Sequence, residues 1–474
     1  MSEYFFDEEL FKYNFNAKNP GTNPGDKPFD SYRLNHVADK CFKLFPYKAT
    51  TRNASPIVYN LSDSVSGFFR KTLGISTKTV GFEELCDRVQ DKIDVDEDDV
   101  EFFEDIIRSL FFRGDNFLGN NIGLYPYQTV VENKSADRVA DYLYGVLDIN
   151  EKDAENIRSA EKEYPFNVLE KMVVDLISTD EVESLPTETK YYQVVRGIQN
   201  GFKEDFEFML SSGMTTIEDI SNVLEFYYFY YVSQTCLTLD QFGNGSHDNL
   251  EKLYFALDWE KVSKNRQCCN EGWDKLQSNI LRMFSHAITL EIINQNDCKM
   301  MDYVDFRMLA DSNNEADQLI ADEIRKAESV YISFIGDYKK FDSISNIPGA
   351  NLTDAAIRHL FECVNMQFNE TERKRASQFY CEKFSEFCKV RFVKNRKKSG
   401  LVLNLTERDI IFLTKLALRN EEKIRLNDLY KEYQKRGIYV DNASKTLLQE
   451  FFTKLNLIDK KSDSGDAQYV KRIL

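Results

Sequence analysis

The chain has 474 residues, is 42% hydrophobic and 29% charged, and carries a formal net charge of −17. That apolar share argues against a disordered chain and allows two or three domains with real cores. No window of 18 uninterrupted apolar residues occurs, so no transmembrane helix is expected.

Only 9 prolines stand against 36 phenylalanines and 25 tyrosines, and long periodic stretches are rich in Glu and Lys, so a mainly α protein is expected. The first residues, MSEYFFDEEL, are acidic and lack a basic stretch before an apolar run, and are not read as a signal peptide. The nine cysteines are scattered with no Cys-x-x-Cys pair, which suits reduced thiols and a cytoplasmic location.

In chain order, residues 1–60 read as a loop-rich segment, since NAKNPGTNPGDKPFDSY holds three prolines and two glycines. A multi-helical acidic body follows over residues 61–388. SDSVSGFFRKTLG starts on polar residues and stops at Gly74, as a helix should. DVDEDDVEFFEDIIRSLFF has the Asp94, Asp96, Asp98 alternation of a calcium loop. It puts Asp99 where the turn glycine belongs and Asp105 where the bidentate Glu belongs, so an acidic helix start is the better reading. A capping box from Thr215 to Glu218 opens the next strong helix, which carries the unbroken run Phe226 to Tyr231. Aromatics can stack on bases, but no Lys or Arg lies between Ser211 and Leu250, so a helix buried on nearly all sides is expected. Trp259 and Trp273 are read as core.

Charge divides the chain. Residues 389–474 hold 20 Lys and Arg against 11 Asp and Glu, a net of +9, which leaves −26 for residues 1–388 out of the total of −17. Such a tail meets either an anionic partner or its own acidic body. Its pattern is specific. Thr406 and Asp409 form a capping box before ERDIIFLTKLAL, and KIRL is a short strand. Leu426, Leu429, Tyr430 and Tyr433 make one face of a second helix closed by Gly437. A third helix, about Asp441–Leu455, has Leu447, Leu448, Phe451 and Leu455 as its core face, and a hairpin around SDSGD ends the chain. That order is a winged helix, whose third helix enters the DNA major groove.

The expected DNA contacts are Asn442, Lys445, Thr446 and Gln449 on that helix, Lys394, Arg396, Lys397 and Lys398 upstream, and Lys460, Lys461, Lys471 and Arg472 on the hairpin flanks. Asp463 and Asp466 at the tip would repel phosphate; they serve the turn or a protein contact. Winged helices also dock proteins, so the fold alone leaves both partners open.

Searches for chemistry return little. No phosphate loop, dinucleotide fingerprint or G-x-S-x-G occurs, so neither a cofactor nor catalytic residues are expected. His36, His247, His286 and His359 are read as surface or core residues rather than zinc ligands. Asp175 with Glu188 and Lys190 matches only the loosest nuclease pattern, on a helical stretch.

The strings RFVKNRKKSGLVLNLTERDIIFLTKLAL, KRGIYVDNASKTLLQEFFTKLNLIDKKSDSGDAQYVKRIL, KLFPYKATTRNA, EFYYFYYVSQ and LDWEKVSKNR resemble the G component of the DNA phosphorothioation-dependent restriction system, the DptG family. They cover a quarter to a third of the chain. The resemblance implies a subunit in bacterial antiviral defence, working beside an F component and an ATPase-like H component against double-stranded DNA that lacks the sulfur modification. It carries no catalytic residues to this chain. Two alternatives stand beside it: an adaptor that binds only proteins, and a nuclease subunit.

Overall fold

The computed structural model describes residues 4–17, 34–49, 55–76, 80–93, 95–129, 134–178, 191–296, 299–460 and 468–473. Among these are 18 α-helices and ten short strands, so the protein is mainly helical.

The first helix, α1 (Glu8–Asn14), lies in the segment expected to be loop-like. Asp7 caps it by accepting the amides of Glu9 and Leu10, and Phe11 is fully buried. A short capped helix of seven residues with one buried anchor suffices here, because the surrounding core supplies the stability. Then come α2 (Ser62–Leu73), α3 (Phe82–Gln90), α4 (Val100–Phe111), α5 (Lys134–Val146), α6 (Glu151–Glu163), α7 (Val168–Ser178) and α8 (Gln199–Ser211). Gly74 ends α2 in the left-handed region, and the acids Glu97–Asp99 form a turn leading into α4. Asp94 lies outside the described residues.

Helix α9 (Ile217–Asp240) runs through the middle of the core. Its cap is one residue later than expected: Thr216, not Thr215, accepts the amide of Asp219. Phe226 to Tyr231 are between 1% and 5% exposed, so the run is buried all round, as its lack of cations requires. Each such ring contributes about 1.5–3 kcal/mol of burial. Three of the four hydroxyls find partners: Tyr227 donates to Asp205, Tyr228 and Tyr47 share a hydrogen bond, and Tyr230 donates to the Lys435 carbonyl, whereas the buried Tyr231 hydroxyl has none among the described residues.

The helices α10 (Asp274–Ile280), α11 (Met283–Ile293), α12 (Tyr303–Ala310), α13 (Asn314–Ser333), α14 (Leu352–Glu370) and α15 (Lys374–Arg391) complete the body. The last three are α16 (Glu407–Leu418), α17 (Leu426–Lys435) and α18 (Asn442–Lys454). Among the described residues the body has one small sheet of its own, the antiparallel pair β1 (Phe112–Arg113) and β2 (Asn116–Phe117).

The other strands tie the tail down. β3 (Leu253–Tyr254) and β4 (Ala256–Leu257) occupy the stretch read only as tryptophan-bearing core. β5 (Val393–Asn395) and β6 (Leu401–Leu405) form a hairpin, and β6 adds parallel to β4. β8 (Ile438–Tyr439) pairs parallel with β3. β7 (Lys423–Arg425), β9 (Ile458–Lys460) and β10 (Gln468–Lys471) form an antiparallel sheet with β10 in the centre. Two-residue strands leave no periodicity to read, so β3, β4 and β8 were invisible in the sequence.

One core runs from Tyr4 to Val470 and includes residues of α16, α17 and α18. A second, smaller core joins α3, α4 and α7. Residues 389–474 therefore share their interior with the body.

Candidate nucleic-acid interface

The C-terminal unit is seated on the body by arginines. Arg436 is 5% exposed and grips Asp205 with two bonds, Nε to Oδ2 at 2.7 Å and Nη2 to Oδ1 at 2.5 Å. Burial alone would lower the pKa of Arg436; the Asp205 carboxylate outweighs this and holds it well above its ordinary value. Arg419 adds contacts to Glu204 and Asp205. Arg391 bridges Glu225 at 2.7 Å and Asp409 at 2.7 Å, and Asp409 also closes the capping box of α16. Arg408 pairs with Glu218. Gly437 has a φ of +73°, and a Cβ there would stand 2.2 Å from the Tyr230 ring, so only glycine lets the unit close onto α9.

A further seam holds α18. Asp441 caps it by accepting the Ser444 amide, and Arg266 donates from Nε to Asp441 Oδ2 at 2.8 Å and from Nη2 to Ser444 Oγ at 2.7 Å. Buried Glu260 accepts from Ser444 and lies 3.3 Å from Arg266. Trp259 packs on Phe451 of the same helix, with centroids 4.9 Å apart. The inner face of α18 is Leu448, Phe451 and Phe452, with Leu447 half-buried. Leu455, expected in this core, is 44% exposed, because the helix ends at Lys454 and the chain turns before Leu455 could face inward.

The expected contact residues fall into separate places. On α18, Asn442 and Thr446 are exposed, and Lys445 and Gln449 are half-buried. The Lys445 ammonium lies 5.4 Å from the centre of the Tyr430 ring, and Glu450 is exposed nearby on the helix. Lys397 and Lys398 are exposed in the β5–β6 turn, with no carboxylate partner among the described residues. That turn lies beside the loop bearing Arg266: Ser399 donates to the Val262 carbonyl at 2.6 Å. So Lys397 and Lys398 share a neighbourhood with the start of α18.

Lys394 and Arg396 lean onto the body instead, Lys394 at its surface. Lys394 pairs with Asp258 at 2.6 Å. Arg396 donates to the carbonyls of Leu257, Asp258 and Glu260 and to the Asn404 side chain. Both rivet the hairpin to the loop after β4.

Lys460 closes β9 opposite Gln468. Lys461 and the tip residues Asp463, Gly465 and Asp466 lie outside the described residues. Lys471 and Arg472 are exposed at the opposite end of the hairpin, where the Lys471 amide donates to the Leu457 carbonyl. Arg472 lines a cleft of about 300 Å³ with Lys415, Arg419, Phe208 and Met214.

Two cations escaped the sequence reading. Lys423 and Arg425 of β7 stand in register with Lys471 and Tyr469, on the outer face of the sheet. Arg425 donates to the Tyr469 hydroxyl at 3.2 Å, and Lys423 pairs with Asp459 at 2.9 Å. The alternation Lys423-Ile424-Arg425 was the signal: Ile424 turns inward and its neighbours outward.

Asp175 is exposed on α7, and Glu188 and Lys190 lie outside the described residues. His247, Asp302 and Asp305 lie together, but Asp302 caps α12 and Asp305 accepts from Tyr192. Asp302 also raises the pKa of His247. Cys363 follows His359 by one helical turn, and both approach Glu328. No helix among the described residues is long and apolar enough to cross a membrane.

No family model matches the chain, and no curated protein matches it.

Proposed function

We propose that the protein is a non-catalytic, DNA-contacting and scaffolding subunit of a bacterial restriction complex, directed against double-stranded DNA lacking phosphorothioate modification. It works in the cytoplasm with the F and H components of that system. In this reading the unit from α16 to β10 is a winged helix and α18 is its recognition helix. The observation that carries it is the separation of cations within residues 389–474. Arginines toward the body are neutralised by carboxylates, while Lys397, Lys398, Lys454, Lys471 and Arg472 stay exposed without a carboxylate partner among the described residues. Of these, Lys397 and Lys398 lie near the start of α18, where they suit phosphate contacts flanking a helix in the groove.

The test is duplex binding by the full chain at several salt concentrations. Affinity should fall steeply with salt, with a slope of about −0.9 for each phosphate neutralised. Affinity independent of salt, or absent at low salt, defeats the reading.

A second reading, the protein-only adaptor, draws on helix α4. Phe102 is 69% and Leu110 is 41% exposed, and with Ile106 they form a stripe edged by Glu101 and Asp105. An apolar stripe with acidic borders suits a partner protein better than DNA. Pull-down of the F and H components by a Phe102→Asp variant tests the role of α4, while duplex binding by the wild type separates the two readings. Loss of those partners with DNA binding intact assigns α4 to assembly.

A further inference from the structure

We infer that Glu328, His359 and Cys363 form a zinc-class metal site that staples α13 to α14. The inference is independent of the DNA-binding reading. His359 and Cys363 lie one turn apart on α14, so their side chains stack on one face. Glu328 reaches them from α13. The His359 Nδ1 atom is 2.8 Å from Glu328 Oε2 and 3.8 Å from Cys363 Sγ, and one donor atom from each residue lies within 4.8 Å of the others.

The donor set selects the metal class. An imidazole nitrogen, a thiol sulfur and a carboxylate oxygen are the zinc ligands, whereas magnesium and calcium take oxygen alone. With metal–ligand bonds of about 2.0–2.3 Å, tetrahedral ligands stand about 3.3–3.6 Å apart. The nitrogen–oxygen pair has to open by about half an ångström and the nitrogen–sulfur pair to close slightly. Side-chain rotation on two packed helices supplies that.

The surroundings fit a three-ligand site with one open position. Cys363 is fully buried, while the side chains of His359 and Glu328 are 25% and 16% exposed, so water reaches the cluster from one side. No other hydrogen bond engages the Glu328 or Cys363 side chain among the described residues. On binding, the Cys363 thiol gives its proton to solvent and the thiolate becomes a ligand; nothing is oxidised or reduced. The competing arrangement is a plain His359–Glu328 pair with a bystander thiol, and it makes no demand on the sulfur.

The experiment uses the full chain, reduced and freed of metal with a chelator, then titrated with zinc against a chromophoric competitor and separately with cobalt(II). One equivalent should bind, and the cobalt form should show a thiolate-to-metal charge-transfer band. Cys363→Ser should abolish that band and weaken zinc binding at least tenfold. Glu328→Gln should weaken zinc binding about tenfold and keep the band. Should Cys363→Ser fail to fold by circular dichroism, Glu328→Gln, at a partly exposed position, carries the test. A wild-type protein with no thiolate band overturns the site, as does zinc affinity unchanged in the folded variants.

Discussion

The inward and outward sides of residues 389–474 use cations differently. Toward the body the cations are mostly arginines in planar, multiply bonded contacts: Arg391 between Glu225 and Asp409, Arg436 on Asp205, Arg396 on three carbonyls. Toward solvent they are mostly lysines; Lys423, Lys431 and Lys435 pair with carboxylates, whereas Lys397, Lys398 and Lys454 have no carboxylate partner among the described residues. A guanidinium forks onto fixed acceptors and is weakly hydrated, so it suits a buried seam; an ammonium is a hydrated point charge that suits a mobile polyanion. The net charge of +9 is therefore a poor measure of what the tail offers to DNA. Part of it holds the molecule together.

If that division is right, excising residues 389–474 has the largest effect. The fragment loses β3 and β4, to which β8 and β6 add, together with the carboxylates facing its arginines. It should show no cooperative urea transition by circular dichroism; a sharp transition would make the unit independent of the body.

Asp205→Ala comes next. It leaves the buried Arg436 guanidinium with only Glu432, at 3.1 Å, as a carboxylate partner and removes the acceptor of Tyr227. The expected cost is about 3–5 kcal/mol, read from urea denaturation. A cost below about 1 kcal/mol would mean that the seam is only a surface contact.

The α18 seam yields a pH effect. Burial works to raise the pKa of Asp441, but Arg266 and the Ser444 amide outweigh it and hold the carboxyl below its ordinary value. A carboxyl with a depressed folded pKa contributes stability above the unfolded value of about 3.9 and loses it as pH falls through the folded value. The stability advantage of wild type over Asp441→Asn should thus be constant from about pH 7 to about pH 5 and shrink below about pH 4.

The smallest effect on stability belongs to the outward face. Replacing Lys397, Lys398 and Lys445 together with Glu should change unfolding free energy by no more than about 1 kcal/mol, since none is in a buried pair. Duplex affinity should fall more than tenfold, and the salt slope should flatten by about 2–3. Wild-type binding by this variant at every salt concentration leaves the adaptor reading.

Much of this was legible in the residues themselves. The α16 capping box, the Leu426 to Tyr433 face, the stop at Gly437 and the burial of the aromatic run follow from local spacing and from missing cations. Helical periodicity and caps act over a few residues, and those the chain displays directly. What only the tertiary structure decided is which cations face in and which face out. Lys394 and Arg396 read like Lys397 and Lys398 in the string KNRKK, and their separation depends on carbonyls contributed by residues 257–260, far away in sequence. The meeting of Glu328 with His359 and Cys363 has the same origin. Contacts between distant segments arise from packing against a shared core, and no local pattern encodes the distance across it.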